Sequence, residues 1–473
     1  MPKRVSIPKR ADVNPQDTWD LAKLFPSDQA WHRALHRAER MIGGFERFRG
    51  KLSRSPKTLR ACCDMEVDFA NLAEKVGAYA ALKHSEDVAN SDYVAMMGRV
   101  SHLSREAAEA TSFIAPEIQA IPKQKMATLL KHPVVAPYRF QLEKLLRYRP
   151  HILSEPEERL LAMQGEVAET ASDVFDQLND ADLDFGTIVD EKGKEVSLTH
   201  GSFRSFLESP RRALRKKAFD QFYAAYDAHK NTLAATLNGG VLQGVFGARA
   251  RNFDSVRESA LFADKVPLAV YDTLVDTVRA NLDTMYRYLE LRRRALRLKD
   301  LHIYDTYVPI VKSPPVDIPY GEAVDTICAA CAPLGDAYVR TMRAGLREQR
   351  WVDRYENQGK RSGAFSYGTY GAPPYILMNY RPDVLDSMFT LAHEAGHSMH
   401  SHHSMKAQPF QYAHYTIFVA EVASTFNEQL LGRHLMAHAR TKQERARLIS
   451  KEIDEIRGTI FRQTMFAEFE KLM

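Results

Sequence analysis

The chain has 473 residues, 45% hydrophobic and 26% charged, with 65 basic and 60 acidic side chains and a formal charge of +5. That is enough chain for a substantial core and two or so subdomains, and so balanced a charge gives little support to nucleic-acid binding. The N-terminal MPKRVSIPKRADVNPQ lacks the apolar core of a secretory signal, and nothing approaches the ~20 apolar residues a membrane helix needs.

In chain order, Ser27 and Ser55-Pro56 read as helix starts, and apolar periodicity predicts helices over about 28–49, 56–88 and 91–120. Pro122, Pro133 and Pro137 interrupt the pattern before another helical run through Leu142–Leu146. The clearest β signal is Leu183–Leu198, where Glu191-Lys192-Gly193-Lys194 resembles a hairpin turn. A soft boundary is expected at about 183–205, with a helical N-terminal domain over 1–200 and a catalytic domain over 201–473. The densest basic run, Arg211, Arg212, Arg215, Lys216 and Lys217, has no aromatic or glycine interleaving and is read as a solvated helix face. Cys62-Cys63 are adjacent, and Cys328 and Cys331 form an isolated CxxC in an apolar helical stretch. Buried thiols in a reducing cytoplasm fit this usage better than a redox or metal site.

The texture changes at Gly359, where glycines at 359, 363, 368 and 371 surround a short β-like run, Tyr375–Tyr380. A strand here can pair with an extended peptide through backbone hydrogen bonds, or simply close a helical fold. Gly363, Ala364 and, further on, His400 are candidate substrate contacts.

His393-Glu394-Ala395-Gly396-His397 follows, on a segment with apolar residues at helical spacing: Met388, Leu391, Ala392, Ala395 and Met399. Histidines four apart share a helix face, so both rings can reach one metal ion. The glutamate between them can take a proton from a water that the metal activates. Gly396 costs a helix ~1 kcal/mol against alanine, which suggests that something packs closely there.

A third ligand separates the classes of zinc protease. His403 has the spacing of a third histidine, but that pattern needs glycine at 400 to turn the chain, and His400 stands there. A continuing helix would carry His403 away, and His402 and His403 are read as surface polarity. Glu421 sits among the apolar residues of Ile417–Leu431, misplaced on a buried surface unless it is paired or ligating. Glu421 is the third ligand, and Glu428, two turns on, is placed to support the site from behind.

Together, Gly359–Tyr380, Phe389–Ser404 and Tyr412–Leu431 resemble the oligoendopeptidase F group of the thimet-type (M3) zinc metallopeptidases. Asp17–Trp31 and Gly458–Leu472 are similar too, so the likeness spans nearly the whole chain. The resemblance implies one Zn2+ per chain on His393, His397 and Glu421, with Glu394 as general base. It also implies a mainly α fold, a helical clamshell with a deep channel that admits short unstructured peptides. The apolar stripe from Ile453 to Met473 runs to the last residue without a cap. Members of the group continue into a helical segment whose tyrosine and histidine side chains hold substrate, so a C-terminal truncation and exposed apolar surface on the last helix are expected. The expected activity is endopeptidase cleavage of oligopeptides in the cytoplasm, without nucleic-acid or membrane partners. The alternatives are a related helical metallocarboxypeptidase and an inactive peptide-binding fragment.

Overall fold

The computed structural model describes residues 8–311 and 316–473. Helix accounts for 71% of the chain, and the sheets are small. Two compact units divide it, each assembled from two separate segments: Met1–Arg149 with Pro314–His438, and Pro150–Ser313 with Ala439–Met473. The linear break expected near 183–205 falls inside the second unit. It lies on the hairpin β1 (Thr187–Val189) and β2 (Glu195–Ser197) and the helix His200–Leu207 that follows.

In the first unit the serine caps form as the sequence suggests. Ser27 Oγ accepts from the Ala30 N–H and Ser55 Oγ from the Thr58 N–H, starting helices Asp28–Ile42 and Pro56–Glu86. The first is shorter than expected, because the chain tightens into a 3-10 turn at Gly43–Phe48. The run over 91–120 divides into Ser91–Thr111 and Ile114–Ala120. Pro116 accounts for the break: it lacks an N–H, and its ring would collide with the carbonyl four residues back.

A three-stranded sheet completes this unit, in the order β3 (Val352–Asp353), β5 (Tyr375–Leu377), β4 (Phe365–Tyr367). β3 runs parallel to β5, and β4 runs antiparallel with Ser366 opposite Ile376. Tyr375 and Leu377 pack into one core with Trp19, Trp31, Leu35, Val76 and Leu82. The two halves of the unit therefore share a core across hundreds of residues of sequence.

Beside β3 lies a buried polar network. Lys360 Nζ bonds Asp353 Oδ1 at 2.6 Å and three carbonyl oxygens, those of Asp353, Tyr355 and Met378. Arg10 reaches Asp353 Oδ2 at 2.5 Å and Glu86 Oε1 at 2.9 Å, and the Trp19 indole N–H donates to the same Glu86 oxygen. The N-terminal segment is thereby pinned to the sheet.

In the second unit, the basic run departs from a solvated face. Arg215 is buried, and with Arg212 it turns inward onto the fully buried Asp305. Lys216 and Lys217 remain exposed. On helix Arg462–Leu472, Met465, Phe466, Phe469 and Leu472 are exposed. All four cysteines are free and buried. Among the described residues no helix is long and apolar enough to cross a membrane.

Candidate metal centre

The motif lies on a 23-residue helix, Leu385–Ala407, whose Met388, Leu391, Ala392, Ala395 and Met399 are all buried. Against it packs helix Ile417–His438. His393 meets Glu428, Gly396 meets Ser424, and His397 meets Glu421, so the two helices run antiparallel. The glycine sets how close they come. A β-carbon on Gly396 would lie 2.6 Å from the Ala423 carbonyl oxygen and 2.6 Å from Ser424 Cα, nearer than any side chain allows.

That approach brings three donor atoms to one point. His393 Nε2 and His397 Nε2 are 3.2 Å apart, and Glu421 Oε2 lies 3.3 and 3.4 Å from them. Four-coordinate zinc with bonds of about 2.0–2.1 Å spaces its ligand atoms roughly 3.3–3.4 Å apart. The protonation pattern agrees. Glu428 Oε1 lies 2.5 Å from His393 Nδ1, so the ring's proton sits there and Nε2 presents a lone pair. The backbone at Ala420 hydrogen-bonds the His397 ring. Two lone-pair nitrogens and a carboxylate oxygen facing one another repel unless a cation lies among them, so this donor set fits a metal ion. His393, His397 and Glu421 are the one such cluster found among the described residues.

Glu421 does not sit on a buried surface as the sequence suggests. Its side chain is 64% exposed, and its neighbours Ile417, Phe418 and Val422 are exposed as well. Ser424 Oγ–H donates to Glu421 Oε2 at 2.7 Å and orients the carboxylate.

Glu394 is buried between this helix and β4. Burial lifts its carboxyl to about 7; the His393 charge opposes the rise, Glu421 adds to it, and a hydrogen bond from the Ser366 backbone moderates it. His393 is shifted up: burial works against its charge, but the Glu428 hydrogen bond and surrounding carboxylates prevail. His397 is shifted down by burial and by the His393 charge.

The remaining candidates are more scattered. Gly363 takes a left-handed φ of +82°, and its carbonyl accepts from Asn379 Nδ2 at 2.9 Å. Ala364, half-buried, leads directly into β4. His400 stacks on Tyr415 with ring centroids 3.6 Å apart, its Nδ1 buried without a hydrogen-bond partner. His402 and His403 lie outside the donor cluster, near Trp351 and against Tyr338.

Two features escape sequence reasoning. One is the Ser366 N–H that bonds Glu394. The other is Glu74, which accepts from the Tyr370 N–H and pairs with His414, tying the glycine-rich loop and the turn before the Glu421 helix to helix Pro56–Glu86. Neither had a signal in residue type or spacing.

A mainly helical fold carrying a His-Glu-x-x-His helix and an acidic third donor on the next helix defines a metallopeptidase. The chain belongs to Peptidase family M3, whose model matches residues 205–473, and residues 117–185 match the Oligopeptidase F model. It is 42% identical over 472 residues to oligopeptidase PepF of Bacillus subtilis, covering 100% of this chain and 70% of that protein. Against the group B oligopeptidase PepB of Streptococcus agalactiae it is 36% identical, covering 98% of this chain and 76% of the relative. The crystal structure of oligoendopeptidase F from Enterococcus faecium matches with a TM-score of 0.70 at 32% identity, over 94% of this chain and 74% of that one.

Proposed function

We propose that this metallopeptidase is a zinc-dependent endopeptidase that cleaves internal bonds of short, unstructured peptides in the cytoplasm. The observation that carries the reading is the spacing of His393 Nε2, His397 Nε2 and Glu421 Oε2, 3.2–3.4 Å on each side, with Glu394 on the same helix as both histidines. The names of the relatives, oligopeptidases and oligoendopeptidases, support the substrate class.

His393, His397 and Glu421 would hold the ion. When bound, zinc supplies a Lewis acid that acidifies water and polarises a carbonyl. The chain's own residues do the rest. Glu428 fixes the His393 tautomer, so that Nε2 stays unprotonated. Ser366 N–H holds the Glu394 carboxylate in place, and burial makes that carboxylate basic enough to take a proton near neutral pH. Glu394 takes the proton of the attacking water, holds it while the carbon–nitrogen bond breaks, and delivers it to the departing amine. β4 lies at the edge of its sheet, where the backbone of an extended peptide can add alongside.

Quenched-fluorescent peptides, with mass spectrometry of the products, test this reading. Internal cuts that depend on zinc and fall by roughly 10²–10⁴-fold in Glu394→Gln are expected. Products trimmed one residue at a time from the C-terminus would point to a carboxypeptidase instead. Turnover undiminished in Glu394→Gln would remove Glu394 from the mechanism.

A further inference from the structure

Glu421 stands on a stretch of helix that the core does not hold. Ile417, Phe418 and Val422 around it are exposed, and the closest approach to the motif helix lies beyond it, at Ala423 and Ser424. Its position therefore depends in part on how the preceding connection, residues 408–416 between the two donor-bearing helices, is tied down. From the motif helix, Ser404 Oγ–H donates to the Ala413 carbonyl, and Ser401 Oγ lies 3.0 Å from the Tyr415 hydroxyl. The Tyr412 hydroxyl donates to the Pro137 carbonyl at 2.9 Å. Between these ties, His414 Nε2 meets Glu74 Oε2 at 3.1 Å, on helix Pro56–Glu86. Glu74 Oε1 is occupied as well: it accepts the Tyr370 N–H at 2.8 Å, in the loop between β4 and β5.

The Glu74 side chain is 17% exposed and has a partner on each oxygen, so it cannot turn to follow one without releasing the other. The hydrogen bond to Glu74 outweighs burial and shifts the His414 pKa up, but a neutral imidazole can also donate from Nε2. The tie therefore holds in either charge state. We propose that Glu74 is a positioning residue for the metal centre: its two oxygens lock the approach to the Glu421 helix and the β4–β5 loop into one frame. It bonds none of His393, His397 and Glu421, and acts only through His414 and Tyr370. The inference rests on the metal reading of those three donors.

Zinc affinity of the full chain, by competition with a fluorescent chelator, tests it, beside urea unfolding of the zinc-free protein. Glu74→Ala removes both holds. His414→Ala removes one, from a side chain 54% exposed, and leaves Tyr370 its acceptor, so the fold is not at stake. Both variants should bind zinc about 3–10-fold more weakly, the worth of roughly one hydrogen bond. Glu74→Gln keeps an acceptor for the Tyr370 N–H and gains an N–H for the other tautomer of His414, so its affinity should stay within about twofold of wild type. A merely structural Glu74 would lower the unfolding midpoint in Glu74→Ala and leave zinc affinity unchanged in both alanine variants, which overturns the proposal. Glu74→Gln as weak as Glu74→Ala would overturn it too, since charge rather than the two hydrogen bonds would then matter. A wild-type chain that binds no zinc would remove the metal reading and this inference with it.

Discussion

Gly396 and Ala423 are in contact where a side chain could not be: a β-carbon at 396 would stand 2.6 Å from the Ala423 carbonyl oxygen. The two donor-bearing helices come this close because one presents no side chain at their crossing. Gly396→Ala must therefore push helix Ile417–His438 outward and carry Glu421 from the two imidazoles. A destabilisation of about 1–3 kcal/mol, the usual cost of overpacking, is expected in urea unfolding, with lower zinc occupancy in the purified protein. A variant with wild-type midpoint and full zinc content would contradict this account.

Glu428 touches His393 but contributes no donor atom to the cluster. Glu428→Ala frees the ring to rotate and to change tautomer. Zinc affinity should fall about 10–100-fold in competition with a chromophoric chelator, while the unfolding midpoint of the chelated protein changes little. An unchanged affinity would make the 2.5 Å contact incidental.

Lys360 and Asp353 form an ion pair whose side chains are 0% and 1% exposed, whereas those of Arg381 and Asp383 are 66% and 64% exposed. The contrast separates buried from surface electrostatics in one molecule. Lys360→Met leaves a buried carboxylate with Arg10 alone and takes a donor from the Tyr355 and Met378 carbonyls, which should cost about 3–5 kcal/mol. Arg381→Ala should stay within about 0.5 kcal/mol. Equal effects in chemical denaturation would overturn the comparison.

Glu66 gives stability a pH dependence of known sign. Burial raises its carboxyl from an ordinary value near 4.5 to about 7, so the folded chain holds this proton more tightly than the unfolded chain. The associated stability is complete below pH 4.5, declines as pH rises, and is gone above pH 7. Glu66→Gln should match the wild type near pH 4.5 and exceed it at pH 8, by at most about 3 kcal/mol. Denaturant titrations at the two pH values check this; a constant difference between the proteins would mean that Glu66 titrates normally.

The donor residues were legible because a helix makes them so. The spacing of His393 and His397 places two rings on one face, and Gly396 is conspicuous where alanine would be more stable. The structure supplies the close approach that explains that glycine. Glu421 was legible as an anomaly, though for a mistaken reason: its apolar neighbours are exposed, not a buried surface around it. The division of the chain was not legible. Hydrophobic periodicity reports local structure, so a hairpin at 187–197 suggested a boundary, while the pairing of β5 with residues near Trp31 left no local trace. The inward turn of Arg212 and Arg215 was hidden for the same reason, since Asp305 lies far along the chain.

The shared core of the first unit also bears on the time the protein takes to be made. Val76 and Leu82 leave the ribosome about 300 residues before Tyr375 and Leu377, their partners in that core, an interval of roughly 15–60 s at ordinary elongation rates. Until then Trp19, Trp31 and Leu35 are covered only by N-terminal members of that core such as Val76, Leu82, Met96 and Leu103, and the side of the cluster that Tyr375 and Leu377 close stays open. The nascent N-terminal half is thus a customer for chaperones, and a catalytic fragment begun at residue 201 would emerge without the surface on which its sheet must fold.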